Sequence, residues 1–345
     1  MKKPTKPEVA YIDNDVNLFK AANAGEKICY TYYDGVIPVA TFDSAAEGKR
    51  WLEEFEVFGC DPEFGYDGNP STLVRETSYK DVGADKACDL YDLIMKDQIA
   101  LIHSEVGSEI PIEIYVSPAT SSKVFRHKIA TLAVYKGKRT TRKPKHLEAV
   151  RAHALKQPNT FAGTVGVEVD DEVQARAQRK GMRGLAVAGD KDIQTAVGCW
   201  ILNTNQYKNI VYSDPSKVGH LEWDGKKVRG WGMLFLCFQS LGADKSDNIL
   251  GVPKIGDKGA YDRLKEFSDL PFQAIYDVMD RVASCYEGYY GETHTYKHCT
   301  TGEELTKTWR EIMAENMSLL YMLKNGKDSA EKSVMCYLEE NIDGN

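Results

Sequence analysis

The placement of acidic residues constrains this chain more than any other feature of its sequence. Four clusters of Asp and Glu each close a predicted strand or open a predicted helix, after a short apolar segment. The clusters are Asp13 with Asp15, Glu168 with Asp170 and Asp171, Asp190 with Asp192, and Asp244 with Asp247. If the strands are parallel neighbours, the first three clusters meet at one sheet edge. The fourth can reach that edge from a later helix and loop.

Such a concentration of negative charge has few stable solutions. About eight carboxylates in one pocket repel one another strongly unless they take up protons or bind cations. Ligation by oxygen alone, with no His or Cys nearby, favours Mg²⁺ or Mn²⁺ over zinc. Two such ions about 4 Å apart can activate a water and stabilise the leaving oxygen of a phosphodiester. A single acidic pair is more often a helix cap or a solvated turn, so the hypothesis depends on all four clusters together.

The apolar pattern predicts an α/β fold. Short apolar runs at residues 9–12, 110–116 and 184–188 alternate with helical patterns, which favours a parallel sheet with helices on both faces. An Asp-Gly turn at residues 34–35 predicts a β-hairpin, and the following stretch looks mainly helical, at 46–58 and 84–106. After residue 230 the periodicity is helical almost to the end.

We therefore predict two unequal parts. Residues 1–230 form an α/β domain, with an acidic insertion at about 41–109 and a basic segment at about 123–160. Residues 231–345 form a smaller helical region.

Charge is distributed unevenly along the chain. A formal net charge of −7 would by itself argue against a protein that binds nucleic acid. Residues 123–156, however, contain eleven Lys or Arg and a single acid, Glu148, so this segment is expected to attract a polyanion. Residues 41–109 contain sixteen acidic and six basic residues, and we expect them to face away from DNA.

Other protein classes are disfavoured. The sequence has no signal-peptide pattern and no apolar run long enough for a bilayer, which predicts a cytoplasmic protein without a membrane partner. Its eight cysteines form no CxxC pair, which favours reduced thiols over a zinc ribbon or a disulfide scaffold. His294, His298 and Cys299 could hold zinc, but no second pair is near in sequence, so an ordinary loop is the favoured interpretation.

Three motifs resemble those of the 5′ nuclease (flap endonuclease) family, and the likeness is greatest to the short bacteriophage 5′-to-3′ exonucleases. The motifs are EVDD at residues 168–171, GDKD at 189–192, and GADKSDNILGVPKIGDKGAYDRL at 242–264. The resemblance extends over about residues 9–264. It implies a PIN-like α/β sheet, two Mg²⁺ ions that Mn²⁺ can replace, and 5′-phosphorylated products. The metal ligands that it implies are Asp13, Glu168, Asp170, Asp171, Asp190, Asp192, Asp244 and Asp247.

One position departs from the family pattern. The family has a further Asp after its second strand, shortly before a Phe-Arg pair, whereas Ser117 and Pro118 stand at about that place here, before Phe125 and Arg126. The missing acid is expected to weaken one metal site or to change the cleavage preference.

The basic segment resembles the family's helical arch or gateway above the metal ions. A cationic side chain there can neutralise the scissile phosphate, and an aromatic ring can stack on an unpaired base. We therefore predict catalytic roles for Arg126, Lys136 and Arg139, and base stacking by Tyr135; a solvated basic face is the alternative. Further candidates for DNA contacts are Lys138, Arg142, Lys143 and Lys145. The segment is shorter than a long threading arch requires, which favours an open gateway.

Residues 242–266 resemble a helix-hairpin-helix (H3TH) motif. Glycines in such a loop let backbone amides approach phosphates, and a helix N-terminus attracts anions. The candidate residues are Gly251, Gly256, Lys258 and Gly259. Nothing predicts contacts with base edges, so binding should follow backbone shape and DNA ends, and should weaken steeply with salt. Trp231, Phe235 and Phe238 are interpreted as core residues.

The leading hypothesis from the sequence is a 5′-to-3′ exonuclease with flap-cleaving activity, acting in replication, primer removal or repair. It would be a monomer that binds DNA with 5′ ends or flaps, with replication proteins as further partners, in the bacterial host cytoplasm if a phage encodes it. Two alternatives stay open. One is a PIN-like ribonuclease acting on RNA or RNA–DNA hybrids, and the other is a non-catalytic protein that binds DNA structures.

Overall fold

The computed structural model describes residues 6–58, 66, 68–118, 124–140, 142–206, 209–324, 328–329, 332 and 334. Contacts divide the chain into two compact units. The first contains Met1–Val16, Asp97–Thr141 and Leu155–Asn345, and the second contains Asn17–Lys96 and Arg142–Ala154. The sequence-based boundary near residue 230 divides the chain differently and stays a prediction.

The secondary structure alternates along the chain. Its strands are β1 (Val9–Asp13), β2 (Glu26–Asp34), β3 (Ile37–Phe42), β4 (Val74–Asp81), β5 (Ile112–Val116), β6 (Thr160–Ala162), β7 (Gly184–Ala188), β8 (Trp200–Asn203), β9 (Val211–Tyr212), β10 (His220–Trp223), β11 (Val228–Trp231), β12 (Thr293–Lys297) and β13 (Glu304–Thr308). Its α-helices are α1 (Asp15–Ala24), α2 (Ala45–Phe58), α3 (Ala84–Val106), α4 (Arg126–Ile129), α5 (Leu147–Ala154), α6 (Val169–Lys180), α7 (Met233–Gly242), α8 (Asp257–Leu264), α9 (Ile275–Tyr290) and α10 (Trp309–Leu320). None of these helices has the length and apolar content needed to span a bilayer.

A six-stranded sheet organises the first unit, in the order β6-β5-β1-β7-β8-β9. Every neighbouring pair is parallel except β8 with β9. The chain builds outward from β1 to β5 and β6, then returns to the other side of β1 for β7 and β8. That reversal makes the carboxyl end of β1 a topological switch point, where ligands bind in open α/β sheets. The predicted α/β fold with a mainly parallel sheet is thereby confirmed.

The central strands are apolar because they are covered on both faces. All five residues of β7 are buried, and α6 packs against β1 and β7. Gly184, at the start of β7, permits this packing: a Cβ there would lie 2.3 Å from the carbonyl oxygen of Ala177 in α6. The close approach of helix and strand therefore excludes any side chain at this position.

Helices α7, α8, α9 and α10 form the second large core of the first unit. Phe235 and Phe238 are 2% and 6% exposed within it, as predicted, whereas Trp231 is partly buried and packs against the core beside the sheet. The prediction of helix almost to the end is wrong where the hairpin β12–β13 interrupts the helices. Half of the side chains in its two strands are exposed and the others are only partly buried, so the strands carry no buried apolar stripe.

The second unit contains a three-stranded antiparallel sheet in the order β3-β2-β4. The predicted hairpin is confirmed, because β2 pairs with β3 around Gly35, which has a φ of 62°. Tyr32 packs against Trp51 of α2, with ring centroids 5.2 Å apart. The helices predicted at 46–58 and 84–106 are confirmed as α2 and α3, and the strand β4 between them was not predicted. All eight side chains of β4 are exposed, and no alternation of apolar and polar residues marks it.

Substitution of Gly184 by Ala tests the packing of α6 on β7. The added Cβ has no room, so we expect the free energy of unfolding to fall by roughly 1–3 kcal/mol in chemical denaturation. Gly288→Ala is the matched control: nothing lies within 4 Å of its Cβ position in α9, and helix propensity predicts a gain of roughly 0.5–1 kcal/mol. Equal effects of the two substitutions would contradict this description of the sheet core.

Candidate metal centre

The acidic residues of all four clusters belong to the first unit and lie at the ends of its elements. Asp13 is the last residue of β1, and Asp190 follows β7 by two residues. Glu168 is the N-cap of α6, and Asp170 and Asp171 occupy its first turn, where the helix dipole favours negative charge. The fourth cluster lies in the turn after α7. Strand ends at the switch point therefore supply two of the predicted clusters directly.

Three of the predicted ligands form a compact group. Glu168, Asp170 and Asp171 each offer one carboxylate oxygen, and these oxygens lie within 4.8 Å of one another. Burial, Glu168 and Asp171 together raise the pKa of Asp170 well above its ordinary value. A divalent cation would relieve that repulsion, and an all-oxygen donor set is the kind that hard ions prefer.

Arg126 lies beneath this group and is only 1% exposed. Its Nη1 atom lies 2.5 Å from Glu168 and 2.7 Å from Asp171, and its Nη2 atom lies 2.9 Å from Asp171. Its Nε atom donates to the carbonyl of Leu319, and Nη2 also donates to that of Tyr321. Burial disfavours the charge, but Asp171 and Glu168 together keep the pKa of the guanidinium well above its ordinary value. This geometry favours a positioning role for Arg126 over the predicted contact with phosphate.

A second group surrounds the end of β1. Burial, with the charges of Asp15 and Asp190, raises the pKa of Asp13 to about 8. Desolvation, with the charges of Asp190 and Asp244, likewise raises the pKa of Asp192 to about 8. Acids from three different parts of the sequence thus act on one another, as convergence at one sheet edge requires.

Asp244 gives the sharpest test of whether this group suits a cation. Its side chain is buried, and Oδ1 accepts hydrogen bonds from the backbone N–H and hydroxyl of Ser246 and lies 3.1 Å from Nζ of Lys191. The other oxygen, Oδ2, is buried and has no hydrogen-bond partner among the described residues. A buried carboxylate oxygen without a donor is destabilising unless a cation binds it. The residues present therefore fit a divalent metal ion.

Asp15 supplies a carboxylate where the family acid is missing. Its Oδ1 accepts a hydrogen bond of 3.0 Å from the backbone N–H of Ser117, and its Oδ2 accepts one from the Ser117 hydroxyl. The backbone N–H of Asp15 in turn donates to Asp13 over 3.1 Å. The ligand set predicted from the sequence does not include Asp15, and its partner Ser117 lies 102 residues away in the chain.

Three predicted basic-segment residues converge on Glu168 and Asp247. Lys136 contacts Glu168 through Nζ, which also lies 3.7 Å from Asp247. Arg139 donates to Asp247 over 2.6 Å. The hydroxyl of Tyr135 lies 3.0 Å from Glu168 and 2.8 Å from Asp247, and its ring is 4% exposed. That burial favours a role in orienting the two acids over the predicted stacking on a base.

The remaining candidates for DNA contacts differ in their surroundings. Lys138 and Lys143 are exposed, whereas Arg142 forms a two-point ion pair with Glu26, at 2.8 and 2.6 Å. Lys145 contacts Asp81 and Glu26. The ion pairs of Arg142 and Lys145 give both residues a structural function within the second unit, and their contacts with DNA stay a prediction.

The predicted helix-hairpin-helix region consists of α7, a turn and α8. Gly251 has a φ of 59°, and a Cβ there would lie 2.6 Å from the backbone nitrogen of Ala243. Gly256 is the N-cap of α8, and Gly259 lies in its first turn. Exposed Lys258 pairs with Asp262 one helical turn away, at 2.6 Å. The assignment of this region as a helix-hairpin-helix stays a prediction.

The alternative zinc ligands do not form a comparable group in the part of the chain that the structure describes. His294 packs between the rings of Tyr290 and Tyr296, and His298 accepts backbone hydrogen bonds from Thr300 and Thr301. The predicted loop is found at His298 and Cys299, which lie in the turn of the hairpin, whereas His294 belongs to strand β12, so the prediction is wrong there.

Two further residues of the centre were missed by sequence reasoning. Lys191 lies between acidic neighbours in GDKD, and its pairing with Asp244 depends on a segment more than fifty residues away. Gln239 of α7 donates to Asp192 over 2.8 Å. Lys191 could have been suspected from its position inside the motif, whereas no local pattern marks Gln239.

The fold and this centre define an α/β protein with a carboxylate-rich, metal-type site at the switch point of its sheet. A stretch of 123 residues, 35% of the chain, is 33% identical to a 5′-3′ exonuclease of Buchnera aphidicola subsp. Schizaphis graminum. It covers 40% of that relative, so the chain matches less than half of its length. The match confirms the predicted resemblance to the 5′ nuclease family. No family model matches the chain.

Solved structures from phage T5 show a weak overall likeness. The D15 protein co-crystallised with metal ions has 13% identity and a TM-score of 0.43, over 96% of this chain and 98% of that one. The D15 flap endonuclease in a complex with DNA and metal ions has 15% identity and a TM-score of 0.38, over 74% and 90%. The T5 5′-exonuclease with bound zinc has 16% identity and a TM-score of 0.39, over 72% of this chain and 90% of that one. Similarities this low carry no conclusion about the site of this chain.

Asp171 and Asp190 should differ in their contribution to stability. Asp171→Asn leaves the buried charge of Arg126 partly uncompensated, and we expect it to lower the free energy of unfolding by roughly 3–5 kcal/mol. Asp190→Asn removes a like charge beside Asp13 and Asp192, so stability without metal should be unchanged or higher. Chemical denaturation in the presence of a chelator measures both, and an equal loss in the two variants would contradict the pairing described here.

Metal-free protein should lose stability as the pH rises from about 5 to above 8. The pKa values of Asp13 and Asp192 are about 8 in the folded chain, against 3.8 for an ordinary Asp side chain, so in this window the unfolded chain has lost protons that the folded chain retains. Each carboxyl then contributes at most about 1.4 kcal/mol of lost stability per pH unit. Saturating Mn²⁺ should remove the decline.

Calorimetric melting temperatures between pH 5 and 8.5, with EDTA or with Mn²⁺, test this linkage. The Asp13→Asn, Asp192→Asn double variant should flatten the EDTA profile, since neither position can then ionise. A wild-type melting temperature that rises with pH in EDTA would show that the pKa values of the two carboxyls are not raised as described.

Proposed function

We propose that the chain is a divalent-metal-dependent 5′ nuclease that hydrolyses DNA phosphodiester bonds near 5′ ends, as an exonuclease that also cuts flaps. The observation that carries this proposal is the buried Oδ2 atom of Asp244, which has no hydrogen-bond partner among the described residues and belongs to a carboxylate whose charge acts on Asp192. The 33% identity over 123 residues to a protein named 5′-3′ exonuclease supports the same reaction class.

The charge balance supports two divalent ions. Eight carboxylates of the predicted ligand set lie in or beside the centre, and four cationic side chains contact them: Arg126, Lys136, Arg139 and Lys191. An excess of four negative charges is left, or five if Asp15 is included. Two divalent ions would neutralise four, and oxygen ligands favour Mg²⁺, with Mn²⁺ able to replace it.

The side chains divide the work of the reaction. Bound metal ions would supply a nucleophilic hydroxide and stabilise the leaving oxygen. Tyr135 and Arg126 hold Glu168 in place, and Gln239 holds Asp192. Lys136, with a side chain 22% exposed, can direct its ammonium group from Glu168 to a phosphate entering from solvent. Arg139, which is half exposed, can do the same at the outer edge.

The substrate is proposed to be DNA recognised through its phosphates. Exposed Lys138, Lys143 and Lys258 are single positive charges suited to the phosphate backbone, and contacts of this kind carry no sequence information. The carboxylate that Asp15 places beside Ser117 offsets the acid missing from the family pattern, which favours a catalytic protein over one that only binds DNA structures.

Cleavage assays test the proposal directly. With Mg²⁺, we expect the protein to degrade 5′-labelled duplex DNA and to cut flap DNA, and with EDTA to do neither. Asp190→Asn should lower turnover by about a hundredfold or more, because charge at the metal site is lost. Asp280→Asn, at an exposed position on α9, is the matched control and should behave as wild type.

The substrate panel separates the alternatives. Preferential cleavage of RNA or of an RNA–DNA hybrid would assign the same carboxylates to a ribonuclease. Tight flap binding with no metal-stimulated cleavage would leave only a DNA-binding function. Either result would overturn the proposed deoxyribonuclease activity.

A further inference from the structure

Helix α10 contains a buried carboxylate, Glu315, that touches none of the proposed metal ligands. Its side chain is 3% exposed, and Oε1 accepts hydrogen bonds from the backbone N–H groups of Thr131, at 2.7 Å, and Leu132, at 3.0 Å. Its Oε2 lies 2.5 Å from the Thr131 hydroxyl and 2.7 Å from Nζ of Lys307. Four donors replace the water that the carboxylate loses on burial, and the fixed geometry of these hydrogen bonds restricts the position of the backbone at Thr131 and Leu132.

The hydroxyl and the carbonyl of Thr131 have further hydrogen-bond partners in the hairpin β12–β13. Its hydroxyl lies 2.6 Å from the hydroxyl of Tyr296 in β12 and 3.1 Å from Nζ of Lys307 in β13. Its carbonyl accepts a hydrogen bond of 2.8 Å from the backbone N–H of Cys299, which lies between those strands. The hairpin β12–β13 and helix α10 together fix the backbone at this point.

Residues 130–139, here named the basic loop, run from this anchor to the proposed metal centre. At the far end, the backbone N–H of Lys136 donates to the carbonyl of Asp247 over 2.8 Å, and Asn248 donates to the carbonyl of Val134 over 2.9 Å. Lys136 and Asn248 both have positive φ angles, 57° and 60°. Non-glycine residues keep this conformation only when surrounding contacts enforce it.

Helix α10 is also connected to the acids through Arg126. One turn after Glu315, the carbonyl of Leu319 accepts the hydrogen bond from Nε of Arg126, whose other nitrogens hold Glu168 and Asp171. One face of α10 therefore fixes the segments on both sides of Ala130.

We propose that Glu315 is a positioning residue that holds the basic loop so that the ammonium group of Lys136 stays at Glu168. The consequence for cleavage rests on the proposed nuclease function, whereas the anchoring of the loop does not. Only three residues lie between Leu132 and Lys136, so a shift of the anchor is transmitted through a short stretch of backbone that is tethered at both ends. A displacement of about 1 Å at a catalytic group can lower a rate by about a hundredfold.

Amide hydrogen exchange tests the anchoring without any assay of activity. In Glu315→Ala, the amides of Thr131, Leu132 and Lys136 should exchange at least about tenfold faster, while the amides of β1 and β7 keep their protection. The matched control is Asn316→Ala, which removes the neighbouring buried polar side chain and its hydrogen bond to Tyr286 but no contact with the basic loop. Unchanged exchange in Glu315→Ala, or the same local increase in Asn316→Ala, would overturn the inference.

Kinetics with flap DNA then test the link to Lys136. Glu315→Ala should lower kcat by about 10- to 100-fold with KM changed less than about threefold, and Glu315→Gln, which keeps the acceptor for both backbone N–H groups, should recover part of that loss. In a Lys136→Ala background, Glu315→Ala should have almost no further effect on kcat. Additive losses in the double variant would refute positioning through Lys136.

The two proposals can fail separately. If wild-type protein cleaves nothing in the presence of metal, the proposed nuclease function is wrong, and hydrogen exchange still decides whether Glu315 anchors the loop. If wild-type protein cleaves normally and Glu315→Ala does too, the positioning role is wrong and the nuclease function is untouched.

Discussion

Repulsion between carboxylates at the end of β1 is the constraint on which the rest of this structure depends. Burial raises the pKa of both Asp13 and Asp192, and the charge of Asp190 raises both further, so charges from separate strands already act on one another without any bound ion. A fold that brings like charges together must retain protons or supply opposite charge from its own side chains or from metal ions. Lys191 supplies such a charge at Asp244, whose Oδ2 atom has no hydrogen-bond partner among the described residues.

The helical part of the first unit is integral to this centre. The turn after α7 contributes Asp244 and Asp247, and the backbone after α10 accepts hydrogen bonds from Arg126 and donates one to Asp171. The sheet therefore fixes where the acids begin to converge, and the helices fix how closely they approach. The boundary predicted near residue 230 lies between the strands of the sheet and these helices, which both contribute to the centre.

Regular elements with strong apolar patterns could be predicted, and exposed ones could not. The limits of α3 and β7 agree with the pattern of the sequence because both bury an apolar face or a continuous apolar run. Strand β4 exposes all of its side chains and is stabilised by backbone pairing with β2, and the strands β12 and β13 expose half of theirs and pair with each other. Such pairing leaves no periodic signal within the segment itself.

The sequence by itself determined which acids follow β1 and β7 and open α6, because the carboxyl ends of parallel strands must share one sheet edge. It also determined the resemblance to the 5′ nucleases. Only the tertiary structure decided that Arg126 and Tyr135 are buried under the acids, and that Asp15 stands beside Ser117. Burial and pairing depend on residues from distant segments that come into contact only when the chain folds, and no local sequence pattern predicts such contacts.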